Sequence, residues 1–321
     1  MNENMMHENT IHENTIIDLS VNIAGIRLKN PVIAASGTFG NGKEYSQIFD
    51  TSKLGAICTI GLTMPPRDGN TGIRIWETPS GLLNSIGLEN PGIPSFIEND
   101  LPFLKNLGPA IIANLSGSSS DEYIQGAILL NESSVDMVEL NISCPNVREG
   151  GMAFGLDAGT AAALTAAVRR VCTNKPLIVK LSPNAPSIFA VALACVRAGA
   201  DGLSLVNTIR AMAIDTVNRK PVFDNITAGL SGPAIKPIAL RMVWDLYKGL
   251  NDENIKIPVI GMGGISNAND ALEYLMAGAS AVQVGTASFL DPFSMLNIID
   301  DIQSFMETNN IQNLAEISIR G

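Results

Sequence analysis

Residues 257–288, "IPVIGMGGISNANDALEYLMAGASAVQVGTAS", predict a strand, a glycine-rich turn, a helix and a second strand in succession. The segments "IPVIGMGG" and "SAVQVGTAS" begin apolar and end polar or glycine-rich, as expected of parallel strands that are covered on both faces. The segment "NANDALEYLMAGA" between them has the apolar spacing of a helix. The stretch therefore predicts a parallel unit of two strands joined through a helix.

Six earlier segments have the same form as these two strands. They are, in chain order, "PVIAAS" (31–36), "GAICTIG" (55–61), "PAIIANLS" (109–116), "DMVELNIS" (136–143), "PLIVKLS" (176–182) and "DGLSLVNT" (201–208). Helix-like stretches such as "DAGTAAALTAAVRRVC" and "SIFAVALACVRAGA" lie between them. Eight such units in roughly 270 residues match a (β/α)8 TIM barrel in size and order. We predict one α/β domain of this class over residues 19–321.

A doubly wound sheet is the alternative architecture, because "GMGGIS" is a glycine-rich turn between a strand and a helix. However, Gly261, Gly263 and Gly264 do not complete the spacing of a dinucleotide-binding motif. The turn also lies seventh in the strand order, whereas the dinucleotide motif follows the first strand. The barrel is therefore the preferred prediction.

Composition and charge exclude several classes of protein. The net charge of −10 opposes a general attraction to nucleic acid or to an anionic membrane surface. No apolar run reaches the roughly 18 to 20 residues that cross a bilayer, and the amino terminus is too polar for a signal peptide, so we predict a cytoplasmic protein. Four scattered cysteines, at positions 58, 144, 172 and 195, suit neither a disulfide framework nor a zinc site.

Both histidines of the chain, His7 and His12, lie in a tandem repeat, "HENTI HENTI". This segment is polar and repetitive, and we predict that residues 1–18 form a flexible amino-terminal extension outside the fold. The remaining residues contain no histidine. Ser-His catalysis, Cys-His catalysis and histidine-bound metals are therefore excluded from the predicted barrel.

Polar residues and glycines end most of the predicted strands. These are Ser36, Asn114, Asn141, Lys180, Asn207, Thr208, Gly263, Gly264, Gly285 and Thr286. In a parallel barrel such ends meet at one face, where the active sites of this fold are found. The glycine-rich ends of strands seven and eight offer backbone N–H groups ahead of helices, which together favour a phosphorylated ligand.

Two residues at these ends suggest chemistry. Lys180 ends an apolar run, so its buried ammonium needs an anion or several acceptors. A Schiff base is possible, and a flavin ring that becomes negative on reduction would use the same charge. Cys58, Cys172 and Cys195 are predicted to fill the core, whereas Cys144 follows a strand end and is the best available proton acceptor or nucleophile.

Asparagines supply both donors and acceptors and suit a planar ligand with alternating carbonyl and N–H groups, such as a pyrimidine. The candidates are Asn84, Asn114, Asn141, Asn146 and Asn207. A metal site would require carboxylates or thiolates at the strand ends. The carboxylate that the sequence offers there is Glu139, one step before the end of its strand. We therefore predict no metal in this chain.

Long blocks of the sequence resemble the dihydroorotate dehydrogenase family, class 1, and most closely its 1B catalytic subunits. The blocks are "ETPSGLLNSIGLENPG", "ELNISCPNVREGGMAFG", "VKLSPN", "GADGLSLVNT", "GLSGPAIKP" and "IPVIGMGGISNANDALEYLMAGASAVQVGTASF". The resemblance implies an FMN-binding barrel that oxidises dihydroorotate to orotate in pyrimidine synthesis. It also implies that Cys144 removes a proton from C5 of the substrate while hydride passes from C6 to flavin N5.

The resemblance assigns roles residue by residue. The orotate site would comprise Asn84, Ile86, Gly87, Leu88, Asn141, Asn146, Asn207 and Thr208. FMN would be held by Ser36, Asn114, Asn141, Lys180, Val206 and Gly232, with its phosphate at Gly263, Gly264, Gly285 and Thr286. The 1B type further implies a homodimer of this chain and a heterotetramer with an iron-sulfur flavoprotein that carries FAD and a [2Fe-2S] cluster and passes electrons to NAD.

One departure from the family pattern concerns the second strand. Where the family carries a lysine, as in "VVKGTT" or "MIKATT", this chain has Ile60 in "ICTIGLT". Its loss removes a cation from a site that expects an anionic substrate, and Arg67, Arg74 and Arg148 are candidate replacements. Weakened dihydroorotate turnover, another dihydropyrimidine such as dihydrouracil, and a non-catalytic FMN-binding subunit therefore stay open as alternatives.

Overall fold

The computed structural model of the chain describes residues 17–143 and 152–317. Its strands are β1 (Val21–Ile23), β2 (Ile26–Leu28), β3 (Val32–Ala34), β4 (Ala56–Cys58), β5 (Ile75–Thr78), β6 (Gly81–Asn84), β7 (Ala110–Leu115), β8 (Met137–Asn141), β9 (Leu177–Lys180), β10 (Gly202–Leu205), β11 (Ile209–Ala211), β12 (Ile214–Asp215), β13 (Lys220–Pro221), β14 (Ala228–Ser231), β15 (Val259–Met262) and β16 (Ala281–Val284). Its helices are α1 (Ile93–Ser95), α2 (Leu101–Asn106), α3 (Ser120–Glu132), α4 (Met152–Leu156), α5 (Ala158–Val171), α6 (Ile188–Arg197), α7 (Lys236–Asp252), α8 (Ala268–Met276), α9 (Ala287–Leu290) and α10 (Ser294–Thr308).

Eight strands close into a parallel barrel in the order β3, β4, β7, β8, β9, β10, β15 and β16. Each pairs with the next along the chain, and β16 returns to β3 with Val282 opposite Val32. All eight strands fall within the segments that the sequence analysis identified. The predicted (β/α)8 barrel is confirmed, and the alternative doubly wound sheet is excluded because the sheet has no open edge.

Side chains alternate along the barrel strands between two buried environments. In β8, Val138 and Leu140 belong to the large apolar layer between the strands and the outer helices. Met137 belongs to a separate cluster inside the barrel. Since strand side chains alternate with a period of two, Glu139 and Asn141 also face the interior. This alternation explains how a strand with no exposed residue carries two polar side chains.

Side-chain caps fix where several barrel helices begin. Ser119, Asp157, Ser187 and Asn267 precede α3, α5, α6 and α8, and each accepts a hydrogen bond from the backbone N–H three residues later. Such caps satisfy N–H groups that the helix itself leaves unpaired, typically contributing about 1 kcal/mol. They also fix the strand-to-helix turns, and therefore the loops at the carboxyl-terminal face of the barrel.

The two ends of the barrel are covered differently. The β1–β2 hairpin closes the amino-terminal end, where Ile23 and Leu28 pack against interior residues such as Ile112 and Ile178. At the other end, insertions after β4 and β10 form an antiparallel sheet in the order β11, β14, β6, β5. This sheet brings Asn84 opposite Gly229. One end is thus closed by apolar side chains, while the other presents loops and short strands.

The described part of the chain begins at Ile17, which packs against the core, and the backbone N–H of Asp18 donates to the Gln312 carbonyl oxygen at 2.9 Å. These two residues of the predicted extension therefore contact the barrel, while the "HENTI" repeat lies outside the described residues. Within residues 17–143 and 152–317, no helix has the length and apolar character needed to span a bilayer.

Candidate active site

A cavity of about 960 Å³ opens at the carboxyl-terminal face of the barrel. Its volume lies near the upper end of ordinary small-molecule sites, which is enough for a cofactor and a small substrate together. Fifteen of the predicted site residues line it: Ser36, Asn84, Ile86, Gly87, Leu88, Asn141, Lys180, Val206, Asn207, Thr208, Gly232, Gly263, Gly264, Gly285 and Thr286. Asn114 is fully buried beneath the wall. Cys144 and Asn146 lie outside the described residues.

Four polar side chains at the strand ends form one hydrogen-bonded series, which we call the amide chain: Asn114, Asn141, Ser143 and Asn207. Asn141 Nδ2 donates to Asn114 Oδ1 at 3.1 Å, and Asn141 Oδ1 accepts from the Ser143 hydroxyl at 2.8 Å. Ser143 Oγ in turn accepts from Asn207 Nδ2 at 3.0 Å, and Asn207 Oδ1 accepts from the Thr208 backbone N–H at 2.8 Å. Because each amide is fixed by its neighbours, the chain presents a preorganised set of polar groups to the cavity.

The loop after β6 brings a second wall to the cavity. Asn84 Nδ2 donates to the Gly229 carbonyl oxygen at 3.3 Å. Gly87 and Leu88 both have left-handed backbones, with φ of +81° and +58°. A Cβ on Gly87 would lie 2.4 Å from Asn70 Oδ1, so only glycine fits this position. Leu88 in turn reaches over Gly61, where a Cβ would lie 2.6 Å from its Cδ2.

Glycines form a backbone cradle on the opposite side. Gly232 and Gly264 have φ of +90° and +71°, and a Cβ on Gly264 would lie 2.8 Å from the Gly232 carbonyl oxygen. Thr286 Oγ1 donates to Ser231 Oγ at 2.9 Å across the same region. Side chains are thus excluded where the two loops approach each other. Backbone groups that line a cavity without intervening side chains suit a phosphate.

Two contacts support this cradle from behind. The buried Tyr274 hydroxyl donates to the Gly263 carbonyl oxygen at 2.7 Å. Asp270 accepts from the Ser266 backbone N–H at 2.9 Å and pairs with Lys236 at 2.6 Å. Hydrogen bonds that Lys236 donates to Asp270 and Glu273 raise its pKa above the ordinary value, against the opposing effect of burial. The loop of residues 263–266, which forms one side of the glycine cradle, is therefore anchored at both its ends.

A buried carboxylate lies beneath the cavity floor. Glu139 is completely buried, and its Oε1 lies 3.5 Å from Lys180 Nζ. The side chains that contact it, with Glu139 itself, form the Glu139 cluster: Cys58, Asn114, Lys180, Ser204 and Gln283. Burial would raise the pKa of the Glu139 carboxyl, but the Lys180 charge and hydrogen bonds from Ser204, Asn114 and Gln283 lower it below its ordinary value.

Gln283 is a site residue that was not predicted from the sequence. Its Nε2 donates to Glu139 Oε2 at 2.9 Å, and its buried Oε1 has no hydrogen-bond partner among the residues that the structure describes. It also lines the cavity. The available signal was a lone amide in the middle of the apolar strand β16, at an inward-facing position. An acceptor without a partner at this depth suits a ligand N–H group.

The cavity carries little positive charge. Of the described residues that line it, Arg67 and Lys180 are the cations, while Glu44, Asp68 and Glu89 are anions. Ile60 lies in the lining, just after β4, at the position where the family resemblance led us to expect a lysine.

The three candidate replacements for that lysine differ in position. Arg67 lines the cavity and contacts the Ser118 hydroxyl. Arg74 pairs with Glu89. Arg148 lies outside the described residues. Arg67 is therefore the replacement that the described geometry supports.

Comparisons with known proteins agree with the fold and identify the family of the chain. A family model described as "Dihydroorotate dehydrogenase" matches residues 18–306. The "Dihydroorotate dehydrogenase B (NAD(+)), catalytic subunit" of Petrotoga mobilis is 56% identical over 301 residues, 94% of this chain and 98% of the relative. Relatives of the same name from Geotalea uraniireducens and Caldicellulosiruptor bescii are 52% and 50% identical over 94% of this chain, covering 97% and 98% of their own lengths. The chain therefore belongs to the dihydroorotate dehydrogenase family.

Proposed function

We propose that the chain is the catalytic subunit of an NAD-linked dihydroorotate dehydrogenase, which oxidises dihydroorotate to orotate in pyrimidine biosynthesis. The observation that carries the proposal is the single cavity in which the amide chain, the glycine cradle and Lys180 meet. The names and high identity of the relatives support the substrate and the NAD linkage.

FMN is the cofactor that the residues of the cavity fit. The glycine cradle at Gly232, Gly263 and Gly264, where a Cβ would clash, leaves room for a phosphate against backbone. Lys180 supplies a cation and Gln283 an unpartnered acceptor, which match the polar edge of an isoalloxazine ring. When bound, FMN would supply the electron acceptor that no amino-acid side chain provides.

The protein's own residues would hold the pyrimidine and take its proton. Asn84, Asn141, Asn207 and Thr208 line the cavity and offer donors and acceptors in fixed positions. Cys144 directly follows Ser143, a member of the amide chain. We infer that its thiolate removes the C5 proton, because no histidine occurs in the barrel sequence and a thiol is a far better base than a hydroxyl at neutral pH.

The proposed reaction also requires a partner. The relatives' names, "catalytic subunit" and "NAD(+)", support a second subunit that receives electrons and passes them to NAD. We propose that this subunit is an iron-sulfur flavoprotein with FAD and a [2Fe-2S] cluster, in a heterotetramer built on a dimer of this chain. Neither of these cofactors is proposed for the chain itself.

Ile60 in the cavity lining supports a second candidate function. A pocket with one lysine fewer loses a partner for the dihydroorotate carboxylate, whereas dihydrouracil has no carboxylate to bind. Oxidation of another dihydropyrimidine is therefore the alternative. It requires the same amide chain and the same base, so substrate preference decides between the two.

The deciding experiment measures anaerobic flavin reduction in the purified protein, with dihydroorotate and dihydrouracil supplied separately. Bleaching of the flavin absorbance by dihydroorotate supports the proposed function, and bleaching by dihydrouracil alone supports the alternative. Cys144→Ser should keep the flavin colour and lose most of the reduction rate at neutral pH. Cys172→Ser is the matched control, since Cys172 is buried in the core and should have no effect on the rate. A parent-like rate in Cys144→Ser would exclude this thiol as the base.

A further inference from the structure

Glu139 occupies an unusual place for a carboxylate. It lies in the middle of β8, inside the barrel, with no exposed surface. TIM-barrel interiors are usually filled with Val, Ile and Leu. A buried ion pair is often no more stabilising than apolar side chains of the same volume, because both charges must leave water. Fold stability alone therefore does not account for this residue.

The hydrogen bonds of the Glu139 cluster hold the Glu139 carboxylate in one position, in contact with Lys180. Asn114 Nδ2 donates to Glu139 Oε1 at 2.7 Å, and Ser204 Oγ donates to Oε2 at 2.7 Å. Gln283 Nε2 donates to the same Oε2 at 2.9 Å. These neutral donors fix the carboxylate, and Lys180 is the cation that it contacts, at 3.5 Å.

The pair is asymmetric with respect to the cavity. The Glu139 side chain is 0% exposed, whereas the Lys180 side chain is 6% exposed and lines the cavity. The carboxylate therefore cannot meet a ligand, while the ammonium can. Any influence of Glu139 on a bound molecule must act through Lys180.

We propose that Glu139 is a positioning residue that holds the Lys180 ammonium at the cavity floor and keeps it charged. A bound flavin then meets a permanent cation whose counter-ion is hidden behind it. The inference rests on the proposed function in one respect, namely that the cavity binds a flavin.

Other ionisable groups face the same region. Within the described residues Cys58 also faces Lys180, and burial raises its pKa well above the ordinary value, so its thiol stays neutral. Glu44, Arg67, Asp68 and Glu89 line the cavity wall, and Cys144 belongs to the proposed site outside the described residues. A test must therefore assign any titration to Lys180 and not to one of these groups.

Glu139→Gln is the variant that removes the charge and keeps the size. The new amide can accept from Asn114 Nδ2 with its oxygen and donate its N–H to the Ser204 hydroxyl oxygen, both of which already contact the Glu139 carboxylate. Lys180 then stays buried without a counter-ion, which disfavours its charged form. The variant should fold, and its lysine should lose its proton at a lower pH.

The experiment follows the midpoint potential of the bound flavin by dye equilibration from pH 6 to pH 9.5, in holoprotein without substrate. In Glu139→Gln we expect an added inflection that the parent lacks, and FMN binding about tenfold weaker above it, the loss typical of one charged hydrogen bond. The inflection should be absent in Glu139→Gln/Lys180→Met, which assigns it to Lys180. Ser204→Ala is the matched control: it removes a hydrogen bond to Glu139, keeps the charge, and should show the parent profile.

A parent-like pH profile in folded Glu139→Gln overturns the proposal and leaves Glu139 a structural role. If Glu139→Gln does not fold, the double variant decides: folded protein supports the coupling of the two charges, and failure of both overturns it.

If the parent binds no flavin, the proposed function is wrong, but the positioning role of Glu139 can still be tested. The positioning is then measured by urea unfolding. Glu139→Gln leaves the buried Lys180 without its counter-ion and should be less stable than the parent, and Glu139→Gln/Lys180→Met should recover part of the loss. Equal stability of the single and double variants would overturn the inference.

Discussion

Asn207 Nδ2 donates a 3.0 Å hydrogen bond to the hydroxyl oxygen of Ser143. Ser143 is fully buried and donates in turn to Asn141, so one hydroxyl fixes two of the amides proposed to hold the substrate. Replacing Ser143 by Ala removes two hydrogen bonds of about 1 kcal/mol each and lets the Asn207 amide rotate. We expect the KM for the dihydropyrimidine to rise about tenfold or more, with a smaller loss of FMN affinity, because Asn141 keeps its hydrogen bonds with the Ser143 backbone N–H and with Asn114. Steady-state kinetics and fluorescence titration of FMN measure the two quantities.

Ser116→Ala is the control for this variant. Ser116 lies just after β7 and is also buried, but among the residues that the structure describes its hydroxyl makes only a long contact of 3.4 Å with Asn114 Oδ1. It should change KM by less than about twofold, as expected of a weak hydrogen bond. An unchanged KM in Ser143→Ala would show that the amides do not depend on this hydroxyl.

Tyr274 supports the glycine cradle by its hydroxyl and by its ring. The hydroxyl donates to the Gly263 carbonyl oxygen at 2.7 Å, and a Cβ on Gly261 would lie 2.5 Å from the ring. Tyr274→Phe leaves this carbonyl without its donor, at a cost of about 1 to 3 kcal/mol in the free energy of unfolding. FMN binding should weaken as the loop loosens. Urea unfolding of the apoprotein and FMN titration measure both effects.

Tyr247→Phe is the matched control for the loss of a hydroxyl, because the Tyr247 side chain is exposed on α7. It should leave stability and FMN affinity at the parent values. Equal behaviour of the two variants would mean that the Tyr274 hydroxyl does not hold the loop.

The barrel could be predicted from the sequence because its signal is local. Each strand is a short apolar run that ends in polar residues, as in "PLIVKLS", and neighbouring strands follow one another in the chain. The strand ends must then meet at one face, which is why Asn141, Lys180 and Asn207 were predicted together. The cavity lining agrees with that prediction. In a parallel barrel, residues that end successive strands of the sequence therefore lie close together in space.

The interior of the barrel could not be predicted in this way. Glu139 contacts Asn114, Ser204 and Gln283, which lie 25, 65 and 144 residues away in the sequence. Each appears in the sequence as a single polar exception in an apolar strand, and nothing local shows that the exceptions meet. Cys58 was correctly predicted to be buried, but its thiol lies 3.4 Å from Glu139 Oε1 and so belongs to the polar cluster as well.

Asn84 illustrates a different limit. Asn84 lies in the antiparallel sheet outside the barrel, where it is paired with Gly229 of β14. This pairing holds Asn84 at the cavity wall. Strand periodicity gives no reason to place this hairpin over the barrel mouth. Amide chemistry alone made Asn84 a candidate, but only the resemblance to the family placed it beside the adjoining loop of Gly87 and Leu88 in the site.

Alkaline pH should destabilise the protein through a buried thiol. Burial raises the pKa of Cys195 from its ordinary value of 9.0 to about 11. Between pH 9 and pH 11 the unfolded chain therefore loses the Cys195 proton while the folded protein keeps it. The stability that the folded state owes to this neutral thiol is fully present below pH 9 and is lost as the pH rises toward 11. The free energy of unfolding should fall by about 2 to 3 kcal/mol from this group over that range.

Urea unfolding at several pH values measures this effect in the parent and in Cys195→Ala. The variant should show a flatter pH dependence above pH 9, whatever its stability at neutral pH. Val191→Ala removes buried volume from the same helix without removing a titrating group, and it should keep the parent slope. Parallel slopes for the parent and Cys195→Ala would contradict the raised pKa.

Ile60→Lys tests whether the cavity lacks a cation for its substrate. Ile60 lines the cavity, where three anionic residues outnumber Arg67 and Lys180 among the charged residues of the described lining. A lysine at this position would offer the dihydroorotate carboxylate a charged hydrogen bond worth about 1.5 to 3 kcal/mol. We expect kcat/KM for dihydroorotate to rise roughly tenfold to a hundredfold, and the value for dihydrouracil to stay nearly constant.

Ile60→Met separates the charge from the change in shape, because methionine has a similar length without a charge. It should leave both substrates near their parent values. A gain in Ile60→Lys that is confined to dihydroorotate would mean that the chain uses the family's substrate with a weakened site. A loss for dihydroorotate in Ile60→Lys, with Ile60→Met unaffected, would mean that the second cation repels Lys180 or Arg67 and that the cavity has been rebuilt around an uncharged wall. In that case a substrate without a carboxylate becomes the better assignment, because an apolar side chain favours a ligand that carries no charge to desolvate.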